Sequence, residues 1–217
     1  MDSRLKDIKV CIWDFDRTLY PPNEALYKEV RNAEIQTIID YRRWSRDLAE
    51  TEFNKLYLKK FPGATETVAA ICNISTKEAA VYGEQYINRA KYLQKDEQLV
   101  QLFHALHQYR HFMLVNGTKE VTAQSLIILG LSPHIFEEIV TSELVGANKP
   151  SDKGYLYILE KTRLPPAQHL MIGDREMVDL KTAKKLGMKT CLVWATEGTI
   201  ADWVVPTVYD LVELLSP

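Results

Sequence analysis

The sequence predicts an α/β protein with a doubly wound parallel sheet and an all-helical domain inserted after the first strand. From residue 111 onwards, short apolar runs alternate with helical stretches, which is typical of parallel strands covered by helices. Residues 21–95 contain no convincing strand. Together these observations favour a Rossmann-like core of residues 1–20 and 96–217 and a helical domain of residues 21–95.

Each predicted strand is an apolar run bounded by polar or turn-forming residues. Continuous runs of this length are typical of strands that are buried on both faces of a parallel sheet. The candidates are Ile8–Trp13, His111–Val115, Glu138–Thr141, His169–Ile172 and Met188–Trp194.

The predicted helices end at residues that disfavour helix continuation. In the core these are Lys119–Leu129 before Gly130, Asp152–Thr162 before Pro165–Pro166, and Glu176–Leu186 before Gly187. The helices of the insert break at Phe61–Pro62–Gly63 and again at Asn73–Ser75.

Composition and charge exclude several classes of protein. The chain has 27 Lys and Arg against 29 Asp and Glu and no basic block, which argues against a nucleic-acid partner. No apolar run approaches the roughly 18 residues that a membrane span requires, and no signal peptide is visible, so we expect a cytoplasmic protein. Cys11, Cys72 and Cys191 lack metal-site spacing and are expected to be buried thiols.

Polar residues follow the strands of the predicted sheet, and the carboxyl ends of parallel strands meet at one edge. Any one of them has a simple structural explanation, since Asp and Asn cap helices and Gly forms turns. Their order, each after an apolar strand, instead points to a shared site. They are Asp14 and Asp16, Asn116–Gly117–Thr118, Lys149, and Gly173–Asp174 with Asp179 five residues further on.

These residues resemble the four ordered motifs of the haloacid dehalogenase-like hydrolase superfamily, across nearly the whole chain. The resemblance implies that Asp14 is the nucleophile, Asp16 the acid/base aspartate and Lys149 the basic residue of the family. It also implies that Asp174 and Asp179 are the acids of its metal site. The helical insert is similar to the family's C1-type cap, which implies a mobile lid over a parallel core sheet.

One motif departs from the family pattern at Val115, where the family usually has Ser or Thr to hydrogen-bond the phosphate. Losing a hydrogen bond to a charged group would cost about 1.5 to 3 kcal/mol if nothing replaced it. Asn116 or Thr118 can replace the hydroxyl. Alternatively, Val115 marks weak or lost activity.

The chemistry of the remaining residues suits phosphoryl transfer. Asp14 can attack phosphorus to form an aspartyl-phosphate, and Asp16 can protonate the leaving oxygen and later accept a proton from water. Lys149 can balance charge on the nucleophile and the phosphate together. Asn116, Gly117 and Thr118 precede a helix, so their backbone N–H groups can meet phosphate oxygens.

An oxygen-lined site of Asp14, Asp174 and the backbone carbonyl of Asp16 suits Mg²⁺. We expect Asp179 to orient water or Lys149 rather than to bind the metal directly. Arg17 and Arg175 each adjoin a motif acid and could touch the substrate, although residues in such positions usually face solvent or form an ion pair.

The sequence therefore predicts a Mg²⁺-dependent phosphatase acting on a small phosphate ester, such as a nucleotide, a sugar phosphate or phosphoglycolate. The segment Tyr20–Pro21–Pro22, after the first motif, is similar to the corresponding segment of family members that dephosphorylate pyrimidine nucleotides. Two alternatives stay open: a phosphomutase on the same fold and a non-catalytic phospholigand-binding protein. A 2-haloacid dehalogenase is disfavoured because it does not need Asp16. The oligomeric state stays open.

Overall fold

The structure is a computed structural model that describes residues 5–61 and 63–215. The chain divides into two compact units. The core unit comprises the described residues of Met1–Pro22 and Leu93–Pro217, and the helical unit comprises those of Asn23–Tyr92. The core therefore extends to Pro22 rather than to residue 20, and it resumes at Leu93 rather than at residue 96.

The core unit contains one six-stranded sheet in the order β3-β2-β1-β4-β5-β6, and every neighbouring pair is parallel. This confirms the predicted doubly wound parallel sheet. The strands are β1 (Val10–Trp13), β2 (Arg110–Val115), β3 (Glu138–Thr141), β4 (His169–Gly173), β5 (Lys189–Val193) and β6 (Trp203–Val205). The short edge strand β6 was not among the predicted strands.

The central strands are apolar because helices cover both faces of the sheet. All four residues of β1 are buried, and Ile12 lies between Phe112 of β2 and Met171 of β4 in the register. These three side chains belong to one buried cluster of the core unit, which also contains Leu180.

The helical unit consists of α1 (Glu24–Arg42), α2 (Arg46–Leu56), α3 (Ala64–Cys72) and α4 (Thr76–Glu84). Asn23 and Ser45 cap α1 and α2 by accepting backbone N–H groups, and Ser75 forms a capping box with Glu78 at α4. The predicted breaks fall between these helices, at the end of α2 and at left-handed Asn73 after α3. Pro62 of the first break lies outside the described residues.

The helices of the core unit include the three predicted ones. They are α5 (Glu97–Ala105), α6 (Lys119–Ile128), α7 (Ser142–Val145), α8 (Lys153–Thr162), α9 (Lys181–Lys185) and α10 (Leu211–Leu215). A π-helical segment, Glu176–Leu180, precedes α9 and replaces the first half of the predicted helix Glu176–Leu186. Gly130 and Gly187 end α6 and α9 with φ of +88°, which glycine adopts readily.

Two further expectations can be checked in the described residues. Cys11, Cys72 and Cys191 are all buried and form no disulfide bonds, as predicted. Within residues 5–61 and 63–215, no helix combines the length and the apolar character needed to cross a membrane.

Candidate active site

The predicted site residues follow strands that end at the same edge of the sheet. Asp14 comes directly after β1, Asn116 after β2 and Asp174 after β4. The backbone N–H of Asp14 donates to the carbonyl of Ile172 at 2.9 Å, so the β1–β4 pairing extends up to Asp14. Lys149 reaches this edge from the loop between α7 and α8.

Lys149 forms a buried ion cluster with two of the aspartates. Its Nζ lies 2.5 Å from Asp14 Oδ1 and 2.8 Å from Asp179 Oδ1, and its side chain is only 1% exposed. Burial by itself would lower the pKa of Lys149, but the charges of Asp14 and Asp179 and its hydrogen bonds to both raise that pKa overall. The two acids therefore favour the charged form of Lys149 in spite of its burial.

The carboxylate of Asp14 is held at both oxygens. Lys149 contacts Oδ1, and the hydroxyl of Thr18 donates to Oδ2 at 3.0 Å. Burial raises the pKa of Asp14, and the charge of Asp179 adds to that effect, while the charge of Lys149 opposes it. These contacts fix the orientation of a carboxylate that is almost removed from solvent.

The turn after Asp14 is anchored by Trp194 at the end of β5. The indole Nε1 of Trp194 donates to the carbonyl of Thr18 at 3.0 Å. Trp194 has a φ of +58°, in the left-handed region that bulky residues rarely adopt. No local sequence pattern predicts this contact, because the two residues are 176 positions apart.

Asp16 lies apart from the buried acids. Asp16 is exposed to solvent, and its Oδ1 accepts a hydrogen bond from the hydroxyl of Tyr20 at 2.5 Å. Its carboxylate is not part of the acidic group formed by Asp14, Asp174 and Asp179. Asp16 is thus a solvent-accessible carboxylate held in place by a phenol, two residues after Asp14.

Three carboxylates come together as a potential metal site. Asp14, Asp174 and Asp179 each offer an oxygen, and these atoms lie within 4.8 Å of one another. Both oxygens of Asp174 are buried and accept no hydrogen bond from any residue that the structure describes. Burial, together with the charges of Asp14 and Asp179, raises the pKa of Asp174 to about 8. Such a cluster of hard oxygen donors with excess negative charge fits a Mg²⁺ ion.

Asp179 is completely buried, and its side chain and its carbonyl both accept hydrogen bonds. Its Oδ2 accepts the backbone N–H of Arg175 at 3.0 Å, and the hydroxyl of Tyr155 donates to its carbonyl at 2.8 Å. A Cβ added to Gly173 would lie 2.6 Å from the Cβ of Asp179. Glycine at position 173 therefore allows Asp179 to approach the end of β4.

Asn116 binds a neighbouring loop through both groups of its side-chain amide. Its Oδ1 accepts the backbone N–H of Lys149 at 2.8 Å, and its Nδ2 donates to the carbonyl of Lys149 at 3.1 Å. The Lys149–Pro150 peptide is cis, and Thr182 donates to the carbonyl of Pro150 at 2.7 Å. The replacement of the missing hydroxyl by the Asn116 side chain stays a prediction, because Nδ2 carries a second proton besides the one donated to Lys149.

The remaining residues of the second motif lie where β2 leads into α6. Val115 is buried in β2 and pairs with Thr141 of β3. The hydroxyl of Thr118 accepts the N–H of Val121 at 3.3 Å as the N-cap of α6, and it keeps its own proton to donate. Thr118 is therefore also a candidate to replace a hydroxyl at position 115. A Cβ at Gly117 would meet only the Thr122 hydroxyl, at 3.9 Å.

Two arginines adjoin the acidic group. The Nε of Arg17 lies 3.4 Å from Asp174 Oδ2, and the Nε of Arg175 lies 3.6 Å from Asp174 Oδ1. Each arginine side chain is 46% exposed, whereas the side chain of Asp174 is 4% exposed. Arg17 has a φ of +60°.

A family model for haloacid dehalogenase-like hydrolases matches residues 8–187 of this chain. The chain belongs to this family. The match spans all four motifs, from Asp14 in the first to Asp174 and Asp179 in the last, and it also covers the helical unit.

Relatives and solved structures agree with this assignment. A glyceraldehyde 3-phosphate phosphatase of Methanopyrus kandleri is 25% identical over 194 residues, which cover 84% of this chain and 82% of that protein. The pyrimidine 5'-nucleotidase YjjG of Escherichia coli is 31% identical over 109 residues, 48% of each protein. The crystal structure of a HAD phosphatase from Thermococcus onnurineus has the same fold, with a TM-score of 0.70 at 21% identity, over 96% of this chain and 98% of that one.

Proposed function

We propose that this chain is a Mg²⁺-dependent phosphatase that hydrolyses a small phosphorylated metabolite through an aspartyl-phosphate. The observation that carries the proposal is the buried carboxylate of Asp14, fixed at both oxygens by Lys149 and Thr18 beside the acidic group of Asp174 and Asp179. A buried carboxylate oriented in this way suits a nucleophile better than a structural ion pair, which would not require the excess acids.

In the first step, an oxygen of Asp14 forms a bond to phosphorus while the bond from phosphorus to the ester oxygen breaks. The leaving oxygen needs a proton, and we assign its donation to Asp16. Tyr20 orients the carboxyl of Asp16 through its hydroxyl. In the second step, Asp16 accepts a proton from the water that hydrolyses the aspartyl-phosphate.

Lys149 keeps its positive charge throughout, and it lies within hydrogen-bonding distance of Asp14. It can therefore stabilise negative charge that develops on the transferred phosphoryl group. Asn116 and Asp179 act on this step indirectly: Asn116 holds the backbone of Lys149, and Asp179 holds its Nζ. Thr118 and the backbone N–H groups at the start of α6 are available to bind phosphate oxygens.

The residues that would hold Mg²⁺ are Asp14, Asp174 and the backbone carbonyl of Asp16, with Asp179 beside them. When bound, the ion would offset the charge of the phosphate and help to align it with the nucleophile. Two features of Asp174 support this assignment: its buried oxygens accept no hydrogen bond from the described residues, and its pKa is raised. A bound cation would contact these oxygens and favour the charged carboxylate.

The relatives' names support a small substrate, since they refer to a triose phosphate and to pyrimidine nucleotides. We further propose that the helical unit is the cap that the family resemblance implies. A non-catalytic role in binding a phospholigand is the second candidate. Val115 favours that role, because the strand end lacks the usual hydroxyl.

The proposal can be tested with p-nitrophenyl phosphate, with and without Mg²⁺, on the wild type and on Asp14→Asn. We expect Mg²⁺-dependent turnover that Asp14→Asn lowers by at least about a thousandfold. Asp152→Asn is the matched control, because Asp152 is exposed and its side chain makes no capping bond to α8. Equal turnover by Asp14→Asn and Asp152→Asn would exclude Asp14 as the nucleophile.

If the wild type shows no turnover, Val115→Thr separates the two candidate functions. Restored turnover would indicate a phosphatase weakened at this position. Phosphate binding without turnover in both proteins would favour the binding role.

The metal site has its own test in calorimetric titration with Mg²⁺. We expect Asp174→Asn to abolish measurable binding and Asp152→Asn to leave the affinity unchanged. An unchanged affinity in Asp174→Asn would place the ion elsewhere.

A further inference from the structure

Arg17 and Arg175 lie beside the acidic group, but the proposed reaction uses neither. The nucleophile, the acid/base residue, the buried cation and the metal site are all accounted for by other residues. Arg17 follows the first motif and Arg175 follows Asp174, so they reach the site from the ends of two adjacent strands, β1 and β4. Their guanidinium groups lie within 3.6 Å of the same carboxylate.

The charges around the site show that these arginines are surplus to the chemistry. Asp14, Asp174 and Asp179 carry three negative charges, and Asp16 is neutral before it gives its proton to the leaving oxygen. Lys149 neutralises one of the three charges, and a divalent cation would neutralise the other two. The site would then be neutral without the two arginines, and with them it has a net charge of +2. The arginines therefore give the site a net positive charge, which favours the binding of a further anionic group.

The contacts of the arginines to Asp174 are loose. Both distances exceed 3.3 Å, neither contact meets the geometry of a hydrogen bond, and both side chains are 46% exposed. A cation held by Asp174 would compete for the same carboxylate. The guanidinium groups would then need a different anion as their partner, and their exposed surface leaves them able to reach one.

Arg17 also occupies an unfavourable backbone conformation. Its φ of +60° lies in the left-handed region, which glycine adopts without strain and arginine does not. The side chain is thus present at a position where the backbone alone would favour glycine. A change to glycine at position 17 would therefore remove the guanidinium group and keep the backbone conformation.

We propose, on the basis of the function inferred above, that Arg17 and Arg175 bind a second anionic group of the substrate. The substrate class is then a short phosphate monoester that also carries a carboxylate or a second phosphate. A guanidinium group can bind either anion through two parallel hydrogen bonds. A monoester with a neutral remainder would leave both arginines without this partner.

The test compares substrates that differ only in the second group. The carboxylate pair is 3-phosphoglycerate and glyceraldehyde 3-phosphate, and the phosphate pair is fructose 1,6-bisphosphate and fructose 6-phosphate. We expect the wild type to have a roughly ten- to hundredfold higher kcat/KM for the acidic member of one pair. The pair that shows the preference identifies the anion.

Arg17→Gly is the informative variant, because glycine keeps the backbone conformation and removes the guanidinium group. Arg163→Gly is its matched control, since Arg163 is an exposed arginine with a φ of +56° at the end of α8. In Arg17→Gly and in Arg175→Ala we expect the ratio of kcat/KM for the acidic member to that for the neutral member to fall about tenfold. The value of kcat/KM for the neutral member should stay within about twofold of the wild type. Arg163→Gly should retain the wild-type ratio, and thermal unfolding should show that all the variants are folded.

Two results would overturn the proposal. A wild type without a preference in either pair would exclude a second anion site. An equal loss for both members of a pair in Arg17→Gly would mean that the arginine binds the reacting phosphate instead.

If no ester is hydrolysed, the proposed function fails. The anion site is then tested by calorimetric titration of the protein with 3-phosphoglycerate and with fructose 1,6-bisphosphate. Affinity for at least one of these acids that Arg17→Gly lowers and Arg163→Gly preserves would support the anion site. Equal affinity in the three proteins for both acids would refute it.

Discussion

The two ends of the parallel sheet bury polar groups in opposite ways. At the carboxyl end, the buried groups of Asp14, Lys149 and Asp179 belong to charged side chains, and acids outnumber the one buried cation. At the amino end, the buried polar side chains include His111 and His169, near the start of β2 and β4. These two histidines are in surroundings that favour the neutral ring.

Each ring nitrogen at the amino end has a partner. Nδ1 of His111 accepts from the indole of Trp13 at 3.1 Å, which leaves Nε2 to donate to the carbonyl of Leu106 at 3.0 Å. His169 contacts the Thr162 hydroxyl at 2.8 Å and the Pro165 carbonyl at 3.1 Å. Burial lowers the pKa of both histidines, against the opposing effect of these carbonyls.

The two ends of the sheet have opposite effects on the stability of the folded state. Neutral groups with matched partners stabilise the fold at little electrostatic cost. At the other end, burial and then the charges of neighbouring carboxylates raise the pKa of Asp14 and Asp174, which destabilises the folded state near neutral pH. Such an arrangement is expected where a charged ligand completes the site.

The largest effect should come from removing the buried cation. Lys149→Met leaves Asp14 and Asp179 as buried acids without a counterion, so we expect a loss of about 3 to 5 kcal/mol in the free energy of unfolding. Urea unfolding of the metal-free protein measures it. Lys153→Met, at an exposed lysine in α8, is the control and should change stability by less than about 0.5 kcal/mol. A loss below 1 kcal/mol in Lys149→Met would contradict the view that Lys149 stabilises the buried acids at the carboxyl end of the sheet.

A smaller effect is expected from crowding Asp179. In Gly173→Ala the new Cβ would lie 2.6 Å from the Cβ of Asp179, so we expect a loss of about 1 to 3 kcal/mol in the free energy of unfolding. Gly117→Ala is the stability control, because its Cβ has only an ordinary contact at 3.9 Å. If both variants unfold at the same urea concentration, the close approach of Asp179 to β4 is not important for stability.

Asn116→Ala tests whether the asparagine acts through Lys149. Two hydrogen bonds to the Lys149 backbone are lost, so we expect a destabilisation of about 1 to 2 kcal/mol and a lower kcat. Asn54→Ala, at an exposed position in the helical unit, provides the comparison. A raised KM with unchanged kcat and stability would instead indicate direct contact with the phosphate.

The smallest effect concerns the amino end and depends on pH. Because burial lowers the folded-state pKa of His111 below its unfolded value of about 6.5, the unfolded state binds more protons below that pH. The stability contributed by neutral His111 is therefore present above pH 6.5 and is lost as the pH falls below that value towards the lowered pKa of the folded state. His111→Gln should weaken this dependence in urea unfolding, and exposed His134→Gln should not. Identical pH slopes in all three proteins would rule out the contribution.

The comparison also explains which parts of the fold were predictable. Strands such as Ile8–Trp13 were found because burial on both faces requires a continuous apolar run. The edge strand Trp203–Val205 has three residues, two of them only partly buried, so it has no such run. The π-helical segment Glu176–Leu180 was predicted as ordinary helix, because hydrophobic spacing does not distinguish these hydrogen-bonding patterns.

In the site, the sequence predicted which residues reach the carboxyl edge, because the order of the strands decides that. The partners of those residues depend on tertiary contacts that no local pattern encodes. The side chain of Asn116 binds the backbone of Lys149, 33 residues further along the chain, and the motif spacing does not show this contact. Asp179 was grouped with Asp174 by the motif, but its close packing against the end of β4 depends on the absence of a side chain at Gly173, which motif spacing does not show.

The hydrogen bond from Trp194 to the turn after Asp14 gives the protein an optical probe of its own. The indole donates to the carbonyl of Thr18, and the hydroxyl of the same residue holds Asp14. The fluorescence of an indole depends on the polarity and charge around it, so a rearrangement of this turn would change the emission of Trp194. In a variant that retains Trp194 and has its other three tryptophans replaced by phenylalanine, stopped-flow emission would report events at Asp14 without any added label.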